Sequence, residues 1–151
     1  MIKKLFLDTN IFLRFIVLEN QKSHNETKAI FLLFKDGVFR PYTSNIVISE
    51  LIYVLTKIYK QSKNDAIKKI STILRMRNLT LIEKTKTKAS LELYKNLNIK
   101  LGDCMIATQI PKGTILCTYD EDFKKISNLI VKTPGEIIPI RNNPVVTDSH
   151  G

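Results

Sequence analysis

The segment Lys3-Lys4-Leu5-Phe6-Leu7-Asp8-Thr9-Asn10 decides the fold class of this chain. Its apolar run predicts a buried β-strand, and an acid directly after such a strand lies where open α/β sheets bind their ligands. The pattern recurs where Ile115-Leu116-Cys117-Thr118-Tyr119 runs into Asp120. We therefore expect two parallel strands whose carboxyl ends share a site.

Two more acids stand among aliphatic residues at helical spacing. If residues 44–59 form a helix, Glu50 shares its apolar face, because isoleucine, valine and tyrosine lie three and four positions away. Asp103 lies beneath two apolar residues near the start of a predicted helix that ends at about Ile110. A buried carboxylate is strongly disfavoured unless it is paired, neutralised or bound to a cation. Together with the two acids that follow strands, these acids predict a metal site.

Strands alternate with helices along the rest of the chain. We predict strands at residues 3–7, 40–43, 79–82, 114–119 and 129–132. We predict helices at residues 11–18, 26–35, 44–59, 62 or 64 to 74, 86–96, 103–110 and 122–126, with a polar loop at residues 19–25. The strands are apolar runs rather than alternating patterns, which favours an α/β fold with a parallel sheet covered on both faces.

Length and composition indicate a single domain. At 151 residues and 44% hydrophobic content, the chain can bury a real core, and we expect the domain to span residues 1–140 and a disordered tail to span residues 141–151. No stretch approaches the roughly 18 apolar residues of a membrane span, and no cleavage site follows the apolar start, so we expect a cytoplasmic protein outside the membrane. Cys104 and Cys117, flanked by apolar residues, are expected to be small buried hydrophobes.

The charge balance favours a polyanionic partner. With 24 Lys and Arg against 14 Asp and Glu, the formal net charge is +10, and nucleic acid is the first candidate ligand. An acid cluster inside a positive field is what a metal-dependent enzyme acting on nucleic acid needs. The basic residues are dispersed, so exposure to solvent is the default expectation for each of them. The candidates for RNA contact are Arg14, Lys100, Lys112 and Lys124.

Four motifs in a fixed order carry a family resemblance. They are Leu7-Asp8-Thr9-Asn10, Ser49-Glu50-Leu51, Leu101-Gly102-Asp103 and Cys117-Thr118-Tyr119-Asp120-Glu121-Asp122-Phe123. Together they resemble the PIN-domain family, especially its VapC-like toxins of toxin–antitoxin pairs, over about residues 1–138. The resemblance implies a Rossmann-like three-layer α/β/α sandwich with a central, mainly parallel sheet of four to five strands. It also implies a divalent-metal ribonuclease site.

The resemblance also assigns roles to single residues. It makes Asp8, Glu50 and Asp103 the three regular acids of the site and Asp120 the fourth, less regular one, and Asp122 can share or take that role. Thr118 matches a hydroxyl residue that orients a carboxylate or a metal-bound water, and Asn10 is a supporting partner. Glu121 is expected in solvent.

The ligand set predicts the chemistry. Carboxylate oxygens suit Mg²⁺, with Mn²⁺ as a substitute, better than zinc, and we expect one or two ions. Such a site would hydrolyse an RNA phosphodiester with water as nucleophile, so the product would carry a 5′-phosphate. His24 lies in the predicted polar loop and His150 in the tail, which makes an imidazole acid–base pair improbable.

The same residues allow other interpretations. Taken singly, Asp8 could be a helix cap, Asp103 a charge at a helix N-terminus and Asp120 a turn residue, but capping does not explain Glu50. A haloacid-dehalogenase-type phosphatase would need an acid where Asn10 stands. A receiver domain would need adjacent acids after the first strand and an acceptor aspartate after a middle strand. An RNA-binding module with a vestigial site is disfavoured because the acids are intact.

Partners are implied only by the resemblance. VapC-like toxins commonly dimerise and are silenced by an antitoxin whose segment covers the acidic cleft, whereas other PIN domains act in RNA processing or decay. RNA recognition depends on surface shape, so the sequence does not specify a target.

Overall fold

The computed structural model describes the backbone of residues 3–142 and the side chains of residues 3–138. Its centre is one sheet of five strands in the order β3-β2-β1-β4-β5, and every neighbouring pair is parallel. The predicted α/β class and parallel sheet are therefore confirmed. The strands are β1 (Lys3–Leu7), β2 (Phe39–Ser44), β3 (Thr80–Ile82), β4 (Ile115–Cys117) and β5 (Ile130–Lys132).

Helices connect the strands. Because βαβ crossovers are right-handed, the reversal of chain direction after β3 puts the helices that connect β1 to β3 and those that connect β3 to β4 on opposite faces of the sheet. The α-helices of the described residues are α1 (Thr9–Ile16), α2 (Gln21–Lys35), α3 (Asn45–Tyr53), α4 (Lys63–Leu74), α5 (Thr87–Asn96), α6 (Leu101–Gln109) and α7 (Pro134–Asn142). A 3₁₀ helix at Glu121–Lys125 joins β4 to β5. None of the helices within residues 3–142 has the length and apolar character needed to cross a lipid bilayer.

The strand order creates a switch point between β1 and β4. These strands pair directly, with Leu7 opposite Cys117 at their carboxyl ends. The chain leaves β1 toward β2 on one side, and it leaves β4 toward β5 on the other. A crevice opens where the direction reverses, and ligands of open α/β sheets bind there. The amide of Asp8 donates to the Cys117 carbonyl at 3.2 Å, so Asp8 lies at the mouth of this crevice.

The core forms around the two central strands. Leu5, Phe6 and Leu7 are completely buried, as expected for a strand covered by helices on both faces. Cys104 and Cys117 are also completely buried and unbridged, so the prediction that they are buried hydrophobes is confirmed.

Helix α2 begins earlier than the sequence suggested. It starts at Gln21, not near residue 26, because the Asn20 side chain accepts a hydrogen bond from the Ser23 amide at 2.9 Å and caps the helix. The prediction of a polar loop at residues 19–25 is wrong for most of its length. His24 therefore lies in a helix, where its Nδ1 is 3.3 Å from the Arg14 carbonyl oxygen.

This cap makes a testable contribution to stability. We expect Asn20→Ala to lower the free energy of unfolding by about 1 kcal/mol, because the Ser23 amide loses its acceptor. Asn20→Asp keeps an acceptor and should stay close to the unchanged chain. Urea unfolding of the three proteins measures the difference, and equal midpoints for Asn20→Ala and the unchanged chain would contradict the capping role.

The helix that carries Glu50 is shorter than predicted. The Ser44 hydroxyl accepts from the Val47 amide at 3.4 Å and caps α3, as its position suggested. However, α3 ends at Tyr53 and is followed by a π-helical turn at Val54–Ile58. The Tyr53 side chain is 59% exposed, so the predicted apolar face does not include it.

Helix α7 was not predicted. It begins after Thr133, whose hydroxyl accepts from the Glu136 amide at 3.2 Å, while the Thr133 amide donates to Glu136 Oε1 at 3.0 Å. This capping box, with proline at the first helical position, is a sequence signal for a helix start. The helix runs to Asn142, past the predicted domain boundary at residue 140. The rest of the predicted tail, residues 143–151, lies outside the described residues.

Candidate active site

Asp8 is the centre of a hydrogen-bonded network at the switch point. Its side chain is buried, and its Oδ2 accepts from the Thr118 hydroxyl at 2.7 Å and from Asn10 Nδ2 at 3.2 Å. Asp8 occupies the N-cap position of α1, but its carboxylate makes no capping bond. Its burial is therefore not explained by helix capping.

Thr118 and Asn10 tie the ends of β1 and β4 together. The Thr118 hydroxyl also accepts from the Asp120 amide at 3.0 Å, which sets the direction of the chain after β4. Asn10 Oδ1 accepts from the Tyr119 amide at 3.2 Å. Both residues lie where their predicted supporting roles require. The predicted strand at residues 114–119 ends at Cys117 because these bonds turn residues 118–120 toward Asp8.

Glu50 reaches the same crevice from α3. Its Oε2 accepts from the Thr9 hydroxyl at 2.9 Å, which links α3 to the start of α1. The first turn of α6 lies against its other oxygen, since a Cβ at Gly102 would be 2.8 Å from Glu50 Oε1. Only glycine leaves room at this position for the carboxylate as it stands.

Asp103 completes the group from α6. The residue is 3% exposed, and among the described residues its Oδ2 is buried with no hydrogen-bond partner. Its Oδ1 is 4.0 Å from Lys100 Nζ. A buried, unpartnered carboxylate oxygen needs a cation or a proton, because its desolvation is otherwise uncompensated. A mere helix N-terminal charge would face solvent or the backbone amides.

The pKa values show that the acids act on one another. Burial, with a smaller contribution from the charges of Glu50 and Asp120, raises the pKa of Asp8 to about 6, against the lowering effect of its hydrogen bonds. Burial also raises the pKa of Asp103 to about 7; Lys100 lowers it, while Asp8, Glu50 and Asp120 raise it. The carboxylates of these four residues therefore form one negatively charged cluster.

The two candidates for the fourth acid differ in position. Asp120 contributes to the raised pKa of both buried aspartates, and its Oδ1 also accepts from the Asp122 amide at 2.9 Å. The Asp122 carboxylate instead pairs with Lys125 Nζ at 3.1 Å. Glu121 is exposed and pairs with Lys124 at 3.1 Å. The structure thus brings Asp120 toward the cluster and directs Asp122 toward a surface lysine.

The four basic residues predicted as candidates for RNA contact also differ in position. Lys100 lies beside Asp103, and Arg14 lies over the ring of Tyr119, whose amide donates to Asn10. Lys124 is engaged by Glu121. Lys112 precedes β4 and so lies at the amino edge of the sheet, opposite the crevice.

Sequence reasoning gave no role at the site to Thr9 and treated Gly102 and Tyr119 only as parts of motifs. Thr9 holds Glu50, Gly102 makes room for it, and Tyr119 bonds Asn10 through its amide. Of these three residues, only Gly102 carries a local sequence signal for its role. A glycine inside a helix usually has a packing reason.

The donor chemistry suits a hard divalent cation. All four clustered acids offer carboxylate oxygens, which Mg²⁺ and Mn²⁺ prefer, and the unpartnered Asp103 oxygen lacks a positive partner. As their side chains stand, residues 3–142 contain no group of three His, Cys, Asp or Glu that could already hold a metal ion. A bound cation would therefore have to draw these carboxylates closer together.

Comparison with known proteins identifies the family. The PIN domain model matches residues 5–129, which include every acid of the cluster. The chain belongs to the PIN-domain family. A search of curated protein sequences finds no significant match to this PIN domain.

Solved structures with the same fold come from toxin–antitoxin systems. In the structure of VapBC2 from Rickettsia felis bound to a DNA fragment from their promoter, the matching chain is 28% identical, with a TM-score of 0.63. The alignment covers 86% of this chain and 98% of that one. VapC20 of Mycobacterium tuberculosis, a sarcin–ricin loop cleaving toxin, is 16% identical with a TM-score of 0.62, covering 84% and 98%.

A third match extends this set. A chain of VapBC-1 from nontypeable Haemophilus influenzae is 19% identical with a TM-score of 0.62, covering 87% and 98% of the two chains. These last two likenesses concern the fold alone. The predicted resemblance to the PIN family and its VapC-like members is confirmed, and proteins of this family are generally nucleases.

The contact between Gly102 and Glu50 leads to a prediction for this PIN domain. We expect Gly102→Ala to reduce RNA cleavage by roughly tenfold, the loss typical when a group that orients a site ligand is disturbed. The added methyl would displace Glu50 from the Thr9 hydroxyl. The free energy of unfolding should change by less than about 1 kcal/mol, because alanine favours the helix while the lost hydrogen bond opposes it.

Cleavage rates and urea unfolding of the same preparations test this prediction. A Thr9→Val background serves as the control, since Gly102→Ala should add little further loss once the hydroxyl that holds Glu50 is gone. Additive losses in the double variant would show that Gly102 acts on something other than the contact between Thr9 and Glu50.

Proposed function

We propose that this PIN domain is an endoribonuclease that depends on Mg²⁺, with Mn²⁺ as a substitute, and acts as the toxin of a toxin–antitoxin pair. The observation that carries the proposal is the cluster of Asp8, Glu50, Asp103 and Asp120 at the switch point, with one buried carboxylate oxygen lacking a partner. Family membership supports a nuclease, and the metal and the substrate follow from the chemistry of the site.

The four clustered acids would hold the ion. When bound, a divalent cation lowers the pKa of a water molecule and neutralises charge on the phosphate. Thr118 and Asn10 both donate to Asp8 Oδ2, so they orient this carboxylate before any ligand arrives. The Thr9 hydroxyl donates to Glu50 Oε2 and orients that carboxylate in the same way. Burial is the main cause of the raised pKa values of Asp8 and Asp103, the neighbouring acids add to it, and a bound cation would favour the charged form of both carboxylates.

The remaining side chains favour hydrolysis by water. The His24 ring faces the Arg14 carbonyl and stacks on Phe15 with ring centroids 6.0 Å apart, so it does not serve the acid cluster. Since the one histidine of residues 3–138 is turned away from the acids, we expect water rather than the RNA 2′-hydroxyl as the nucleophile, and the cut end should carry a 5′-phosphate. The net charge of +10 supports a polyanionic substrate.

Cleavage of a panel of structured RNAs tests the function. The intact chain should cut at least one RNA with Mg²⁺ or Mn²⁺, leave 5′-phosphate ends, and lose activity with chelator. Glu50→Gln should be inactive, whereas Glu121→Gln, which alters an exposed acid paired with Lys124, should cut normally. Cutting by Glu50→Gln at the full rate would point to a contaminating nuclease and refute the assignment.

We further propose an antitoxin protein and a second copy of the chain as partners. The 28% identical match comes from a structure named VapBC2, and a structure from Klebsiella pneumoniae named as a toxin–antitoxin complex shares the fold. Large apolar side chains remain exposed on the helices, and such residues commonly mark protein contacts when they form a patch. Examples are Phe15, Leu32, Ile67 and Leu74. Light scattering of the purified chain would test the dimer.

A further inference from the structure

Arg14 is held near Asn10, a hydrogen-bond partner of Asp8, by an aromatic residue. It lies on α1 one turn after Asn10, so both side chains project from the same face of the helix. The guanidinium carbon is 5.8 Å from the centroid of the Tyr119 ring, within the range of a cation–π contact. The Tyr119 amide donates to Asn10 Oδ1, and Asn10 Nδ2 donates to Asp8 Oδ2. These two hydrogen bonds connect the residue that holds the guanidinium to Asp8.

The acids near Arg14 are engaged by tyrosines. The Tyr119 hydroxyl donates to Glu26 Oε1 at 2.9 Å. The second acid, Glu19, forms a hydrogen bond with Tyr59. Burial is the largest cause of the raised pKa of Tyr59, and this hydrogen bond is the next largest. The ion pairs found among the described side chains do not include Arg14. A half-buried guanidinium thus stands between two glutamates without pairing with either, which leaves its donors available to a ligand.

Arg14 also separates two polar hollows beside the crevice. One of about 150 Å³ is lined by Asn10, Glu19 and Tyr59, and the other, of about 230 Å³, by Lys22, Glu26 and Tyr119 among others. Arg14 lines both. A chain that passes from the acid cluster along α1 would therefore meet this guanidinium first.

We propose that Arg14 binds an RNA backbone phosphate next to the scissile one, with its guanidinium plane fixed by the Tyr119 ring. This inference rests on the proposed function and names a substrate contact of the same site. Without its ion the acid cluster repels a polyanion, so a fixed cation that holds a neighbouring phosphate would keep RNA at the site. A planar guanidinium binds phosphate with two parallel hydrogen bonds, a geometry that lysine does not reproduce.

RNA binding without catalysis tests the proposal. Affinity is measured in chelator with a labelled, mixed-sequence, single-stranded RNA oligonucleotide over a range of salt concentrations. We expect Arg14→Ala to bind roughly tenfold more weakly, since a charge-assisted hydrogen bond is lost. The slope of log affinity against log salt should fall by about 0.7, the value for one phosphate contact on a single strand. Arg14→Lys should keep most of the slope but lose affinity.

The matched control is Arg77→Ala. Arg77 is exposed and lies near Asp36 and Gly37, which precede β2, so it marks the amino edge of the sheet, away from the acids. Its removal should change binding less than twofold. Equal losses in Arg77→Ala and Arg14→Ala would overturn the proposal, because they would show only a diffuse positive field. Unchanged binding in both Arg14 variants, or no binding by the intact chain at low salt, would overturn it too.

Two readouts keep this proposal separate from the proposed function. Thermal unfolding of Arg14→Lys, which retains the charge above Tyr119, verifies that a loss of binding is not a loss of fold. If the intact chain binds RNA through Arg14 but never cuts with Mg²⁺ or Mn²⁺, the ribonuclease proposal fails while the phosphate contact stands. If it cuts while the Arg14 variants bind normally, the reverse holds.

Discussion

Asp8→Asn should abolish metal-dependent RNA cleavage by this PIN domain. Asparagine keeps the shape of the side chain and an acceptor for Thr118, but it removes the charge that a cation needs. We expect a loss on the order of a thousandfold or more in the cleavage rate, because groups that act as one catalytic unit fail together. Initial rates with saturating Mn²⁺, on an RNA that the intact chain cuts, measure the effect.

Glu121→Gln is the matched control for this change. It neutralises an acid of the same chain that is exposed and paired with Lys124 outside the cluster, so its rate should stay within about twofold of the unchanged chain. Should Asp8→Asn retain more than a tenth of the activity, Asp8 would not be an essential ligand. Calorimetric titration with Mn²⁺ in the absence of RNA would then show whether the ion still binds.

The same residue should control how stability depends on pH. The pKa of Asp8 is raised from 3.8 in an unfolded chain to about 6 in the fold. The folded state therefore holds a proton that the unfolded state has already released, and stability falls as pH rises through this interval. The cost of ionising Asp8 should reach on the order of 3 kcal/mol above the folded pKa. Asp103, raised from 3.8 to about 7, adds to the effect in the same direction.

Urea unfolding in chelator measures this dependence. As pH rises from about 4 to 7, the free energy of unfolding of Asp8→Asn should increase relative to that of the intact chain, because asparagine never ionises. The two proteins should be closest in stability at the acid end. Added Mn²⁺ should stabilise the intact chain and leave Asp8→Asn almost unaffected. A stability difference that does not change with pH would contradict the raised pKa of Asp8.

Both predictions share one physical origin. The fold holds carboxylates where no positive group compensates their charge. Ionisation of these carboxylates lowers the free energy of unfolding of the metal-free protein, and the same charge attracts cations. Substitution of Asp8 should therefore produce opposite changes in activity and in the stability of the metal-free protein. If Asp8 had a purely structural role, its substitution would lower both the cleavage activity and the free energy of unfolding.

Local sequence patterns were enough to predict the class of fold and the acids of the cluster. An apolar run followed by Asp8 or Asp120 specifies a buried strand and its end, because side-chain burial and backbone pairing are short-range requirements. Glu50 was recognised because a glutamate near an apolar helix face is costly wherever the helix packs. These features depend on neighbours within a few residues, and the five parallel strands of the fold agree with them.

Helix boundaries were predicted less well where a cap or an irregular turn competes with hydrophobic periodicity. The Asn20 cap starts α2 early, and the π-helical turn after Tyr53 rotates the following residues off the predicted face. Helix α7 had a readable capping box at Thr133, but few apolar positions with a helical period follow it. The capping box indicates a helix start at this point, but the weak hydrophobic periodicity after it does not indicate a helix.

By itself the sequence determined the strands, most of the helices and which acids are costly to bury. Only the tertiary structure decided which of these groups meet. Thr118 bonds Asp8 across 110 residues and Thr9 bonds Glu50 across 41, and both contacts depend on the order of strands in the sheet. The position of Arg14 over Tyr119 depends on it too. Strand order is a global property, since it is set by how whole helices pack on the sheet and not by any local pattern of residues.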